Sequence, residues 1–211
     1  SGLVRISVPT SYGHSRVLPL LPAFTRQYPQ FELDLQLSNR NVDLTAEGFD
    51  LAIRARTPPE SGLVARKLED AALVIVAAPS YLRGRRKPRT PADLSQHECL
   101  PFVQPNTGQP VPWALRQGEQ IVEVPVSGRL RCTDDILGPV TLARAGAGVL
   151  QTYRFLVEDD LQAGRLLELL PDCAGASRPF SLLYSAASHR PLRVRVLIDY
   201  LMNKLAGTPR T

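Results

Sequence analysis

Phe31-Glu32-Leu33-Asp34-Leu35-Gln36-Leu37 alternates apolar and polar residues without a fault. That period of two is the signature of a strand with one wet face. Its neighbours narrow the fold further. Before it, residues 3–8 put Val4, Ile6 and Val8 on one strand face, Pro9 and Gly13 break the pattern, and Val17, Leu21, Phe24 and Tyr28 recur at helical spacing. An interior proline costs a helix about 3 kcal/mol, so Pro22 predicts either a start near Pro19 or a kink. After it, Ser38-Asn39-Arg40-Asn41 reads as a turn, residues 42–47 as a short helix closed by Gly48, and 49–54 as a third strand. Strand, helix, strand, short helix, strand predicts a parallel sheet with crossovers on its faces.

From Leu63 the pattern changes. Residues 71–78 are continuously apolar, as in a strand buried on both faces, and a crossing into a second domain is expected here. Thr90-Pro91-Ala92-Asp93 combines an N-cap, a proline at the first helical position and an acid in the first turn, which predicts a helix start. Strands are expected at 99–103, around Trp113, at 121–126 beyond the turn Gln117-Gly118-Glu119, at 149–153, 166–170 and 180–185. Thr133-Asp134-Asp135 opens a helix with Ile136, Val140, Ala143 and Ala147 on one side. A closing helix over 192–205 carries Val194, Leu197, Ile198, Leu201 and Leu205 on one stripe and is expected to pack on the first sheet.

A chain of 211 residues with 44% apolar content can bury a sizeable core, as one large domain or two small ones. No apolar run approaches the roughly 20 residues of a membrane span, and the first residues lack the basic-then-apolar layout expected of a secretory signal. It begins Ser-Gly, with Met202 as its single methionine, so a fragment of a longer or processed protein is expected. The net charge of +5 comes almost wholly from arginine. The densest run, Arg83-Gly84-Arg85-Arg86-Lys87-Pro88-Arg89, has no interleaved aromatic residues and reads as a solvated loop rather than a nucleic-acid groove. Cys99, Cys132 and Cys173 are odd in number and far apart, which argues against a disulfide framework and for a reducing compartment. His14, His97 and His189 are equally scattered, so neither a metal site nor a cofactor is read from spacing.

A parallel sheet binds ligands beyond the carboxyl ends of its strands. That rule nominates Thr10 and Ser11, Ser38 and Asn39, and Arg54. Thr10 and Ser11 can cap the helix start or share its N–H groups with an anion. Arg54 can grip an acidic ligand or pair with Asp50 or Glu69. Gln151 and Thr152, a polar end on an apolar strand, need either internal hydrogen bonds or an open cleft. Ser11 and His14 lack an orienting third group and a nucleophile-elbow glycine pattern, so no enzyme is expected.

In order along the chain, Gly2-Leu3-Val4-Arg5-Ile6-Ser7, Leu18-Pro19-Leu20-Leu21-Pro22-Ala23-Phe24 with Tyr28-Pro29, Val42-Asp43-Leu44, and Glu47-Gly48-Phe49-Asp50-Leu51-Ala52-Ile53-Arg54 form a recognisable series. It continues through Leu63-Val64-Ala65-Arg66-Lys67-Leu68, Ala78-Pro79-Ser80-Tyr81-Leu82, Thr90-Pro91-Ala92-Asp93-Leu94, His97-Glu98-Cys99-Leu100 and Ala145-Gly146-Ala147-Gly148-Val149. The chain resembles the effector-binding domain of LysR-type transcriptional regulators. The resemblance implies an α/β fold of two Rossmann-like subdomains joined by two crossovers, type 2 periplasmic-binding-protein-like. Subdomain I would be 1–71 with 175–211, and subdomain II 72–174. It implies a small-molecule effector in the cleft between them, touching Thr10, Ser11, Tyr12, Ser38 and Asn39 on one side and the neighbourhoods of Gln104, Thr133 with Asp134, and Gln151 with Thr152 and Tyr153 on the other. A small polar or carboxylated metabolite is expected, and Tyr12 and Tyr153 would suit an aromatic one. The resemblance further implies a cytoplasmic homodimer, or a tetramer at full length, that meets operator DNA only through an N-terminal winged helix-turn-helix absent here. Where relatives carry an apolar pair and a proline, this chain has Gln151-Thr152-Tyr153. The alternative reading is a periplasmic solute-binding protein for a small anionic or amino-acid ligand.

Overall fold

The structure is a computed structural model that describes residues 2–55, 62–186 and 191–206. His189 lies outside the described residues. The chain divides into two compact units, Ser1–Asp70 with Pro179–Thr211 and Ala71–Arg178.

In the first unit, β1 (Gly2–Val8) runs parallel to β2 (Phe31–Leu37) through seven residue pairs, Gly2 with Phe31 to Val8 with Leu37. On its other side β1 runs parallel to β3 (Leu51–Arg54), and β3 is antiparallel to β11 (Ser177–Ser185). Between β1 and β2 the chain stays helical from Thr10 to Gln27, but its hydrogen-bond pattern changes along the way. α1 (Thr10–Tyr12) passes into a π-helical turn (Gly13–Val17), a 3₁₀ turn (Leu18–Leu20) and α2 (Leu21–Gln27). The two prolines explain the changes, because neither has an N–H to continue an α-helical ladder. Pro22 sits in the first turn of α2, where that N–H has no partner to lose. The expected short helix over 42–47 is a hydrogen-bonded turn at 44–48 instead, tightened by the Asp43 carboxylate, which accepts the N–H groups of Thr45 and Ala46. α6 (Leu192–Leu205) buries Val194, Leu197, Ile198, Leu201 and Leu205 as its periodicity requires, and the Tyr200 hydroxyl donates to the Leu20 carbonyl at 3.0 Å. Each such side chain contributes roughly 1.5–3 kcal/mol of burial. The fully buried Phe24 gathers the rings of Tyr28, Phe31 and Tyr200 around it.

The second unit begins within β4 (Leu63–Ala77), one continuous strand that runs from the change of pattern at Leu63 through most of the apolar run. β4 is flanked antiparallel by β9 (Leu150–Tyr153) and β10 (Leu167–Leu169). Its apolar run does have two buried faces. Ile75 and Ala77 pack with Tyr81, Leu94, Cys99 and Trp113, while Val74, Val76 and Ala78 pack with Leu100, Val140, Ala143 and Leu166. α3 (Pro79–Leu82) follows β4 directly. The Thr90 helix start opens a six-residue 3₁₀ helix, Pro91–Gln96, with Thr90 and Asp93 capping each other reciprocally. β5 (Phe102–Val103) pairs parallel with β8 (Cys132–Thr133), and β6 (Trp113–Gln117) and β7 (Gln120–Val124) form a hairpin about Gly118. α4 (Leu137–Arg144) starts after Asp135, whose carboxylate accepts the Leu137 N–H at 2.9 Å. α5 (Arg154–Gln162) has no counterpart in the sequence reading. Its signal was faint: Val157 and Leu161 are spaced four apart among charged residues.

Candidate functional site

In the first unit β1, β2 and β3 all run the same way, so their carboxyl ends deliver Thr10, Ser38, Asn39 and Arg54 to one edge of the sheet. Asn39 joins the first two of these ends. Its Oδ1 accepts the Thr10 N–H at 3.2 Å and its Nδ2 donates to Thr10 Oγ1 at 3.4 Å, while Ser38 N–H donates to the Val8 carbonyl at 2.8 Å. The expectation that Thr10 and Ser11 cap the helix start is corrected by this arrangement: Pro9 holds the cap position without a side-chain cap, and Asn39 takes the first free N–H. Ser11 and Tyr12 are turned inward. Tyr12 is fully buried, stacks on Phe180 at 4.2 Å and donates to Glu69 at 3.4 Å. His14 is exposed while Ser11 is buried, and no hydrogen bond joins the two among the described residues.

Arg54 is 6% exposed. One terminal nitrogen donates to the carbonyls of Ser7 (3.2 Å) and Ile53 (2.6 Å), the other to Ser7 Oγ and the Arg40 carbonyl, both at 2.8 Å. Its Nε is buried without a partner among the described residues. Both carboxylates considered as partners are engaged elsewhere: Asp50 accepts the Arg5 N–H, and Glu69 accepts Arg16 and Tyr12. Burial, with a smaller push from Arg40, pulls Arg54 down to about 10. The guanidinium spends its terminal donors on β1, β3 and the 38–41 turn, and this geometry makes it the clasp that holds the strand ends in register. Sequence reasoning named Arg54 but missed its partners, because three of the four acceptors are backbone carbonyls.

In the second unit β5 and β8 are parallel, and Cys99, just ahead of β5, forms a parallel bridge with Val149, just ahead of β9. β5 and β8 therefore end together, at Gln104 and at Thr133 with Asp134, while Thr152 and Tyr153 close β9, which pairs antiparallel with β4. Gln104 closes a tight loop, accepting the Thr107 hydroxyl at 3.3 Å. Asp134 stands in a left-handed conformation, φ 75°, a cost the strand-to-helix corner absorbs. Gln151 has its partners: Oε1 accepts Ala114 N–H at 2.9 Å and Nε2 donates to the Ala114 carbonyl at 2.8 Å, so its amide extends the ladder toward β6. Thr152 is different. It is buried, and its hydroxyl has no partner among the described residues. Tyr153 is buried and stacks on Phe155 at 5.2 Å. Beside Gln151 lies a cavity of about 10 Å³, lined also by Leu73, Ile75, Ala114, Leu169 and Cys173, with room for a single water. Burial, then the charge of Glu98, pushes the Cys99 thiol up to about 11, and burial raises Cys132 as well. Among the described residues no three His, Cys, Asp or Glu side chains converge as metal ligands.

With this geometry in view, comparison with known proteins is specific. The model of the LysR substrate binding domain matches residues 1–206. PtxR of Pseudomonas aeruginosa, an HTH-type transcriptional regulator, is 32% identical over 209 residues, covering 99% of this chain and 66% of PtxR. Among solved structures, the CrgA regulatory domain from Neisseria meningitidis superposes with a TM-score of 0.84 at 26% identity, covering 97% of this chain and 99% of that one. Full-length AphB of Vibrio cholerae, a virulence activator, superposes with a TM-score of 0.81 at 27% identity, covering 97% of this chain and 69% of AphB. The chain thus spans about two thirds or less of PtxR and of other curated relatives. Nothing in these matches favours a periplasmic solute-binding protein.

Proposed function

Because this chain belongs to the LysR substrate binding domain family and has its type 2 periplasmic-binding-protein-like fold, we propose that it is the effector-binding domain of a LysR-type transcriptional regulator and takes a small polar or carboxylated metabolite. The observation that carries this reading is that each unit ends a set of parallel strands in polar residues, Thr10, Ser38 and Asn39 in the first and Gln104 and Thr133 in the second, with Thr152 on β9 in another sheet of the second unit. Thr10 and Asn39 supply hydroxyl and amide groups on a turn that Arg54 clasps, and Thr152 supplies a buried hydroxyl still without a partner. Arg54 and Tyr12 act from behind, as supports of that edge. The effector changes regulation by binding one conformation more tightly than another, and its effect is bounded by that difference in affinity. The output passes to dimer assembly and to a helix-turn-helix segment such as the one named in the relatives, in the cytoplasm. No helix among the described residues is long and apolar enough to cross a membrane.

The test is a melting-temperature screen against small carboxylates, aromatic acids, amino acids and phosphates. A ligand at 100 times its Kd adds about 2.7 kcal/mol, roughly 5–10 °C for a domain of this size. The shift is expected to vanish in Asn39→Ala and to weaken in Thr152→Val. A ligand whose shift survives both changes would bind elsewhere.

A further inference from the structure

We propose that the basic loop 83–89 of the second unit is a contact surface for the phosphate backbone of duplex DNA. It carries Arg83, Arg85, Arg86, Lys87 and Arg89 within seven residues, and removing those five charges would leave the chain formally neutral. All five are exposed, and none forms an ion pair among the described residues, whereas ten other Lys and Arg side chains do. The loop is held at both ends. Arg85 donates to the Tyr81 carbonyl at 2.7 Å and lies over the Tyr81 ring at 4.6 Å. Pro88 is buried, and the Asp93 carboxylate accepts the N–H groups of Arg89 and Thr90.

An anchored, unpaired row of cations is suited to a dense line of anions, since it loses little freedom on binding and breaks no internal pair. Duplex DNA, with one negative charge per ~1.7 Å of axis, is such a line. The lack of aromatic residues in the run points to sequence-independent backbone contact and away from single strands, which need stacking platforms. This inference rests on the regulator reading above, which brings DNA within reach of the chain, and it departs from the expectations that the loop is only solvated and that DNA is met only through an N-terminal helix-turn-helix.

The experiment measures binding of this chain to a 30-base-pair duplex of arbitrary sequence by fluorescence anisotropy between 25 and 100 mM salt. Contact with about three phosphates predicts a slope near −2.7 in log K against log salt, about a 40-fold loss over that range. The triple variant Arg83→Gln, Arg86→Gln, Lys87→Gln keeps the Arg85 clamp and is expected to melt like the parent and to lose this binding. A control with the same charge change at exposed positions elsewhere, Arg26→Gln, Arg131→Gln, Arg195→Gln, is expected to keep the slope. Absence of binding at 25 mM salt overturns the proposal, as does equal loss in the two variants. Competition by polyglutamate as strong as by duplex, charge for charge, also overturns it and assigns the loop to an acidic protein. The effector screen does not involve this loop, so the two readings fail separately.

Discussion

At the scale of single residues, the chain's polar groups sort by whether the backbone around them offers a partner. Arg54 shows the extreme case, a buried cation that uses carbonyls where a carboxylate would be expected. Lysine cannot span the same four acceptors from one nitrogen. Arg54→Lys is therefore expected to lower stability by about 2–3 kcal/mol in urea unfolding, with the loss concentrated in the first unit's strand ends. Cys99 shows the converse. Its thiol donates to the Leu94 carbonyl at 3.6 Å inside an apolar cluster, and its titration lies near 11. In the native chain at pH 8 it should resist iodoacetamide and react only on unfolding, because the thiolate is the nucleophile. The raised value also sets a sign: the folded state binds this proton more tightly, so its contribution to stability is intact below the ordinary thiol value of 9.0 and is lost as pH rises from there through about 11.

At the scale of elements, close backbone approaches and one buried carboxylate decide how the second unit holds together. A Cβ on Gly128 would lie 1.8 Å from the Cys99 carbonyl oxygen, and one on Gly148 2.3 Å from that of Glu98. The stretch 98–99 is gripped from two sides by glycines whose φ is not left-handed, so their role is space. Gly128→Ala is expected to cost about 3 kcal/mol, read as a lowered melting temperature. Asp160 ties α5 to α4 through Arg144 (2.7 Å) and to the start of β10 through Arg165 (2.7 Å). Burial pushes its carboxyl up, and the hydrogen bonds from Arg165 and Arg144 outweigh that and hold it below the usual range. Its stabilising contribution is therefore full above about pH 4, and is lost as pH falls below the ordinary carboxylate value. Asp160→Asn should flatten that acid limb of the stability curve. The helices around this clasp were unequally legible. α6 could be read residue by residue from its apolar stripe, whereas α5 could not, since its inward face includes Asp160, an ion the pattern assigns to solvent.

At the scale of the whole molecule, the order of local signals carried the fold. The faultless alternation of Phe31–Leu37, the break at Pro9 and the return at Leu51–Arg54 specify parallel strands, because each period must face a core at its own spacing. The same order carried the resemblance that the family match bears out. The position of polar residues at strand ends was legible too, since it follows from strand direction alone. What those side chains do was not. Tyr12 looked available and lies fully buried against Phe180, and of the two alternatives left for Gln151 and Thr152, Gln151 takes the internal one on Ala114 while the Thr152 hydroxyl is without a partner among the described residues. The amino-acid sequence by itself determined periodicity, strand direction and charge, all of which act between near neighbours. Only the tertiary structure decided which polar groups are satisfied, because the carbonyl, hydroxyl, amide and N–H groups that satisfy Arg54, Thr10 and Gln151 come from residues up to 47 positions away, and folding alone brings them within hydrogen-bonding distance.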